Sequence, residues 1–311
     1  MRVATIDLGT NTVRLLVADA SPGRAGWTVV EQEQTVTRLG EGLAATGRLG
    51  DAPAARTMAA VGAYVSRATS AGADRILIVA TSAVREAPNG ADFAAALQTA
   101  TGHPVRVISG AEEARLTLCG VMHGLPGGPR TLVTFDIGGG STEYVLARDG
   151  RVAASVSLRL GVVPLAERFP FPDGVDAARY AALSGQIRAQ LARELPAVIR
   201  DARVRLVGTA GTVTALAALD LGLTTYDPER VHGYRLHRDV VERWRQRLGS
   251  LTVRERAALP CLEAGRADLI IPGVAVVIET MTCLGADELM VSEYGLREGV
   301  VGEALEPGAG G

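Results

Sequence analysis

Val3-Ala4-Thr5-Ile6-Asp7-Leu8-Gly9-Thr10-Asn11-Thr12-Val13-Arg14 and Leu132-Val133-Thr134-Phe135-Asp136-Ile137-Gly138-Gly139-Gly140-Ser141-Thr142-Glu143 carry one pattern twice. Each copy is an apolar run closing on an aspartate, a turn of Gly, Thr, Ser or Asn, and a second apolar run, Val13 to Val17 or Tyr144 to Leu146. Apolar runs around turn-forming residues read as a β-hairpin, and a hairpin that recurs reads as two similar domains. One domain opens at residue 1 and the other near 131, with the Pro/Gly-rich stretch Gly124 to Pro129 leading into the second.

Outward from the hairpins the first half alternates strand-like runs (Ile76 to Ala80, Val105 to Ile108) with helical stretches (Ala54 to Thr69, Ala91 to Ala100, Ala111 to Val121). The second half repeats this grammar: a helix over Asp176 to Ile199, a strand over Val204 to Val207, and helices over Thr212 to Leu221 and Arg238 to Leu248. A helix interrupted at Pro272, a strand over Leu289 to Ser292 and a terminal helix from about Gly295 follow, with a Gly-rich tail from Gly308 to Gly311 that is expected to fray. Such alternation predicts an α/β chain with helices packed on mostly parallel or mixed sheets.

The 311 residues include 47% hydrophobic and only 4% aromatic side chains, the composition of a globular protein rich in small residues. All 32 basic residues are arginine, which excludes mechanisms that need lysine, such as a Schiff base or a P-loop lysine. A net charge of -2 gives no field over the whole chain to draw in nucleic acid or an anionic membrane. Cys119, Cys261 and Cys283 are odd in number and widely spaced, which fits a reducing compartment and predicts three buried apolar side chains. Met1 runs straight into the strand-like Arg2 to Asp7 without the pattern of a secretory leader, so none is expected, and the longest apolar stretch, Leu269 to Cys283, holds Pro272 and Glu279 and is too short to cross a bilayer. A cytoplasmic location is expected, with no nucleic-acid or membrane partner.

Glycines let backbone N–H groups converge on an anion, and hydroxyls add donors. Mg²⁺ binds through one or two carboxylates plus phosphate oxygens and water, so Asp136 and Glu143 beside the turn Gly138-Gly139-Gly140 make a credible metal pair. The competing reading is a tight turn capped by Asp136; the second copy weighs against it. Gly208-Thr209-Ala210-Gly211-Thr212 follows a strand and opens a helix, which supplies another anion site, although such a turn also occurs for structural reasons alone.

These residues, with Ala80 to Gly90, Ile108-Ser109-Gly110-Ala111-Glu112-Glu113-Ala114-Arg115, Ser157-Leu158-Arg159-Leu160-Gly161, Val231-His232-Gly233, Gly265-Arg266-Ala267-Asp268 and Gly295-Leu296-Arg297-Glu298-Gly299, resemble the exopolyphosphatase/guanosine pentaphosphate phosphohydrolase (Ppx/GppA) family. The blocks keep the family's order over nearly the whole chain. The resemblance implies a duplicated actin-like (ribonuclease H-like) fold of the ATPase superfamily: domains at 1–124 and 125–294 around a cleft, with the terminal helix of about 295–311 able to pack back on the first. It also implies that Glu113 is the catalytic carboxylate, orienting or deprotonating the attacking water, while Glu112 is a helix-turn acid. Asp136 and Glu143 are then the ligands of Mg²⁺ or Mn²⁺, and Gly138, Gly139, Gly140 and Ser141 cradle the terminal phosphates. Asp7, Gly9, Thr10 and Asn11 form the facing cradle, joined by Gly208, Thr209, Gly211 and Thr212. Arg85 matches a phosphate-binding arginine of the family, and Arg14, standing where the repeat has Glu143, is read as a phosphate-side cation.

His232 is expected to be structural or to lie at a substrate rim, and Arg266 with Asp268 to form an intramolecular pair. Pro164 departs from the family, which has a basic residue there, and weaker affinity for long anionic chains follows if that cation touches substrate. The expected reaction is hydrolysis of the terminal phosphoanhydride of polyphosphate, with pppGpp 5′-phosphohydrolysis to ppGpp as the alternative. The chain ends soon after Gly-Leu-Arg-Glu-Gly, which favours short polyphosphate or a nucleotide over very long chains. Polyphosphate or a guanosine penta- or tetraphosphate is therefore the expected partner, and a homodimer is compatible with the sequence. More distant alternatives are a kinase of the same superfold and a non-catalytic polyphosphate or alarmone sensor.

Overall fold

The computed structural model describes residues 1–20, 26–125, 128 and 130–305, without the side chain of Ala264. Pro126, Gly127 and Pro129 of the stretch between the domains, and the Gly-rich tail, lie outside the described residues. Two compact units emerge, Met1–His123 with Tyr294–Gly311, and Gly124–Glu293.

The first unit holds β1 (Arg2–Leu8), β2 (Thr12–Ala20), β3 (Trp27–Val36), β4 (Arg75–Ala80) and β5 (Val105–Val107) in the order β3-β2-β1-β4-β5. β2 runs antiparallel to β1 and β3, while β4 is parallel to both β1 and β5. Strand alternation divides the side chains of β1 and β2 between two faces. Ile6, Leu8, Val13 and Leu15 pack with Val61 and Tyr64 of the helix Asp51–Ser70 and Leu97 of the helix Gly90–Thr101. Leu16 and Ala18 on the opposite face meet Val301, and Val79 of β4 meets Ile108, Leu116, Leu296 and Val300. The terminal helix Leu296–Leu305 thus lies on the first unit's sheet. It crosses the helix Gly110–Gly124 with backbones in contact, since a Cβ on Gly120 would stand 1.9 Å from the Gly295 carbonyl oxygen.

The second unit holds β6 (Leu132–Ile137), β7 (Thr142–Arg148), β8 (Arg151–Leu158), β9 (Arg205–Thr209), β10 (Arg235–His237) and β11 (Glu288–Ser292), ordered β10-β11-β9-β6-β7-β8. Read as β8-β7-β6-β9-β11, it repeats the first unit's order and directions, with β10 added antiparallel at one edge. This is the ribonuclease H-like sheet, present twice, as the duplicated hairpin predicts. Val133, Phe135, Tyr144 and Leu146 pack with Leu183, Ile187 and the almost wholly buried helix Ile270–Leu284, to which the Tyr144 hydroxyl is tied through Thr280 Oγ1 at 2.7 Å.

Several expectations need correction. The helix expected over 176–199 is two, Ala177–Glu194 and Ala197–Arg200, because Pro196 drives Leu195 into extended backbone. Pro272 interrupts nothing: it is the third residue of Ile270–Leu284, where its missing N–H has no intrahelical partner to lose. Cys119 is exposed, and Cys261 and Cys283 are half-buried, so none of the cysteines is the fully buried apolar residue expected. β3 and β10 lacked a clear apolar alternation and appear only in the structure. Among the described residues no helix is long and apolar enough to cross a membrane.

Candidate functional site

In the first unit the chemistry gathers at the C-terminal ends of the parallel strands, where open α/β sheets bind ligands. Asp7 stands opposite Arg14 across β1 and β2, and the Gly9 N–H closes the turn on the Thr12 carbonyl at 3.1 Å. The Thr10 carbonyl accepts from Gly40 N at 2.8 Å, and the Asn11 carbonyl from Thr37 N at 3.0 Å and Arg38 N at 2.9 Å. In a trans peptide the carbonyl and the following N–H point in opposite directions. Tying these carbonyls back to residues 37–40 therefore aims the Asn11 and Thr12 N–H groups out of the turn, as an anion cradle requires.

Asp7 is buried, and desolvation raises its carboxyl above the ordinary range; Arg14 and Arg297 pull it down, while Glu298 pushes it up. Asp7 Oδ1, Thr10 Oγ1 and Asn11 Oδ1 are buried polar atoms with no hydrogen-bond partner among the described residues. Glu298 is itself buried; Gly295 N donates to it at 2.8 Å, and Arg297 pairs with it at 3.3 Å. The pair Arg297 and Glu298 beside Asp7 has no local sequence signal, because it arrives from the other end of the chain.

Glu113 lies in the first turn of Gly110–Gly124, with its N–H on the Ser109 carbonyl at 2.9 Å, while Ser109 Oγ accepts from Glu112 N at 3.2 Å. The expected cap at Ser109 is thus present. Glu112 faces outward and pairs with Arg106, whereas Glu113 is only 9% exposed. Arg85 Nη1 donates both to Glu113 Oε2 and to the Ile108 carbonyl, each at 2.9 Å. Sequence reading placed Arg85 on phosphate; here its guanidinium also fixes the rotamer of Glu113, a coupling that spacing along the chain does not reveal.

In the second unit Asp136 and Glu143 are register partners on one face of β6 and β7. The turn closes from Gly138 N to the Ser141 carbonyl at 2.9 Å, and the Gly138 and Gly139 carbonyls accept from Val162 N at 3.2 Å and Val163 N at 2.9 Å. By the same peptide geometry the Gly139 and Gly140 N–H groups point away from residues 162–163. Glu143 is buried and its Oε1 accepts from Ser141 Oγ at 2.6 Å and Ser157 Oγ at 2.7 Å. Those hydroxyls hold one oxygen in place, which is how carboxylates that ligate a metal are oriented. Two acids opposite one another, one anchored and one half-buried, with outward N–H groups in the same turn, fit an ion that takes few protein oxygens and completes its shell from phosphate and water.

Thr209 is the register partner of Asp136 on β9. Gly208 and Thr209 end that strand, and Ala210, with φ 73°, leads into the helix Gly211–Asp220. The Arg266 guanidinium lies where a Gly211 side chain would begin, its Nη1 only 1.1 Å from an ideal Cβ, and pairs with Glu263 at 2.7 Å. Arg266 thus stands at the N-terminus of that helix, a cation that sequence reading had assigned only to structure. Thr212 is buried against Gly273, where it has a packing role besides any contact with an anion.

Comparison with known proteins finds relatives over nearly the whole chain. The profile of the Ppx/GppA phosphatase family matches residues 16–307. Exopolyphosphatase 2 of Mycobacterium tuberculosis is 37% identical over 310 residues, covering 96% of this chain and 97% of its own. Exopolyphosphatase 1 of Mycobacterium bovis is 29% identical, covering 100% of this chain and 90% of its own. Among solved structures, the Ppx/GppA family member of Aquifex aeolicus superposes with a TM-score of 0.82 at 30% identity over 98% of each chain. An exopolyphosphatase from Cytophaga hutchinsonii gives 0.90 at 25% identity, again over 98% of each.

Proposed function

The chain belongs to the Ppx/GppA phosphatase family, and from that premise we propose that it hydrolyses the terminal phosphoanhydride of polyphosphate and releases orthophosphate. The observation that carries the reading is Glu113: a nearly buried carboxylate, held by Arg85, at the end of the sheet where the first hairpin turns its N–H groups outward. Phosphoryl transfer asks for an in-line nucleophile and neutralised charge and little covalent help. Glu113 orients the attacking water and takes its proton as the new P–O bond forms; the bridging P–O bond breaks, and the departing oxygen leaves with its electron pair on the shortened chain.

Asp136 and Glu143 would hold Mg²⁺, which when bound supplies charge neutralisation for the phosphate oxygens. The N–H groups of Gly139 and Gly140 bind phosphate in the second unit, where the Ser141 hydroxyl has its one hydrogen on Glu143 instead; Asn11, Thr12 and Arg14 bind it in the first. Arg266 adds a planar guanidinium beside the outward N–H groups at Gly211.

Phosphate release measured side by side on short polyphosphate, long polyphosphate and pppGpp tests the substrate, and the reading requires polyphosphate to be turned over faster than pppGpp. Glu113→Gln keeps the shape and removes the base, so turnover should fall at least about 10²-fold with little change in substrate affinity. Near wild-type turnover in that variant moves the catalytic role elsewhere.

A further inference from the structure

The chain passes between its two units twice, at His123/Gly124 and at Glu293/Tyr294. His232, at the end of the short helix Pro228–Val231, touches both passages from within the second unit. Its Nε2 lies 2.7 Å from the Gly124 carbonyl oxygen, and Glu293 N donates to its Nδ1 at 3.3 Å. A ring nitrogen that accepts an N–H carries no proton, so the single proton of the neutral imidazole sits on Nε2 and is donated to Gly124. That carbonyl is among the last of the helix Gly110–Gly124, which have no donor within the helix. One side chain thereby satisfies the outgoing passage and holds the returning one.

Neighbouring contacts reinforce both ends. The Glu293 carboxylate accepts from the Tyr226 hydroxyl, and Gly233 N donates to the Val291 carbonyl at 2.8 Å, which fixes the strand that feeds the return. Within the first unit the residues next in sequence are clamped in turn: His123 stacks on Trp27 with ring centroids 4.7 Å apart and planes at 6°, and Tyr294 tilts against His123 at 6.0 Å and Trp27 at 6.3 Å. Beyond Tyr294 the chain runs into Gly295, whose N–H donates to Glu298, and into Arg297 and Glu298, whose charges act on Asp7.

We propose that His232 is a positioning residue that ties the Gly124 end and the Glu293 end of the second unit to one another, holding the Gly124 carbonyl through its Nε2 and the Glu293 N–H through its Nδ1. The tie depends on two bonds of opposite polarity, and they can be separated by substitution. His232→Asn retains an acceptor near the Nδ1 position, His232→Gln retains a donor near the Nε2 position, and His232→Phe keeps the bulk and loses both.

Hydrogen exchange followed by mass spectrometry on the whole protein reads the outcome. In His232→Phe and His232→Gln, exchange in a peptide spanning 290–295 should speed up at least about tenfold, a change expected when a protecting bond is lost locally. Peptides from Ile270–Leu284 should be unchanged, and His232→Asn should restore protection in 290–295. Unchanged exchange in His232→Phe, equal acceleration across Ile270–Leu284, or His232→Asn behaving like His232→Gln would each overturn the proposal. Should His232→Phe fail to fold, the contrast between His232→Asn and His232→Gln still decides it.

Discussion

The hairpins β1–β2 and β6–β7 share a backbone and part company in charge. Both close with the same N–H to carbonyl bond, from Gly9 to Thr12 and from Gly138 to Ser141, and both have turn carbonyls tied back to the segment after their third strand. At the paired positions beside the turn, the first sets Asp7 against Arg14 and the second sets Asp136 against Glu143. Cross-strand partners of opposite charge attract and like charges repel, so the second hairpin gains from a cation and the first already contains one. The duplicated backbone supplies N–H groups in both units; in the proposed function the side chains divide the work between metal and phosphate.

The sharpest break in that comparison comes from neutralising the two equivalent positions. Glu143→Gln should lower activity at limiting Mg²⁺ by about 10²-fold or more, with recovery at high Mg²⁺, because a hard divalent ion loses an anionic oxygen. Arg14→Gln should instead raise KM and leave the Mg²⁺ requirement unchanged. Metal titrations of both variants check this, and activity that survives EDTA in the wild type removes the division of labour altogether.

Next in size is a test of the turn supports. A Cβ at Gly161 would stand 2.2 Å from the Gly140 carbonyl carbon and 2.3 Å from the Gly139 oxygen, backbone atoms that cannot move without moving the cradle. At Gly40 the atom met at 2.2 Å is Thr10 Cγ2, a side-chain end. Gly161→Ala should cost ~1–3 kcal/mol and much of the activity. Gly40→Ala should be rescued by Thr10→Ser, which deletes the clashing methyl; thermal melts and turnover of the three variants measure the difference.

Ser157→Ala probes a smaller effect. Loss of one of the two hydroxyls on Glu143 Oε1 should raise the Mg²⁺ concentration for half-maximal activity by about tenfold, at the lower end for residues that orient a metal ligand. In β3 the position that corresponds to Ser157 is Gln34, the register partner of Arg14, and an equal response to Thr35→Ala, one residue further along and bonded to Tyr64 at 2.7 Å, would mean that the effect is one of sheet stability.

The hairpins, their duplication and the alternation of strands and helices were legible because each is a local pattern: a turn bracketed by apolar runs, or a period of 2 or 3.6. The register pairs Asp7 with Arg14 and Asp136 with Glu143 follow from the same short turns. What was not legible is carried by contacts between distant segments. Ser157 reaches Glu143 because β8 pairs with β7, Arg266 reaches Gly211 from a later segment of the same unit, and Arg297 and Glu298 reach Asp7 from the far end of the chain. His232 looked isolated in sequence for the same reason: its partners are main-chain atoms of Gly124 and Glu293, which no side-chain motif records.

The smallest expected effect concerns the stability cost of the first hairpin. Burial is the largest influence on Asp7 and holds its carboxyl above the ordinary range, ahead of the opposing pull of Arg14 and Arg297. A carboxyl raised in the fold relative to the unfolded chain disfavours the native state once it ionises. That penalty is absent below the ordinary carboxylate range, grows as pH rises through the raised value, and is complete above it. Asp7→Asn should therefore melt a few degrees higher than wild type at neutral pH, with the gain shrinking to nothing as the pH falls into the ordinary carboxylate range, while catalytic activity declines. A lower melting temperature for Asp7→Asn at neutral pH would show that attraction to Arg14 and Arg297 outweighs desolvation, which would make the first hairpin an internally neutralised ion pair and leave the second alone in needing a ligand to offset its charge.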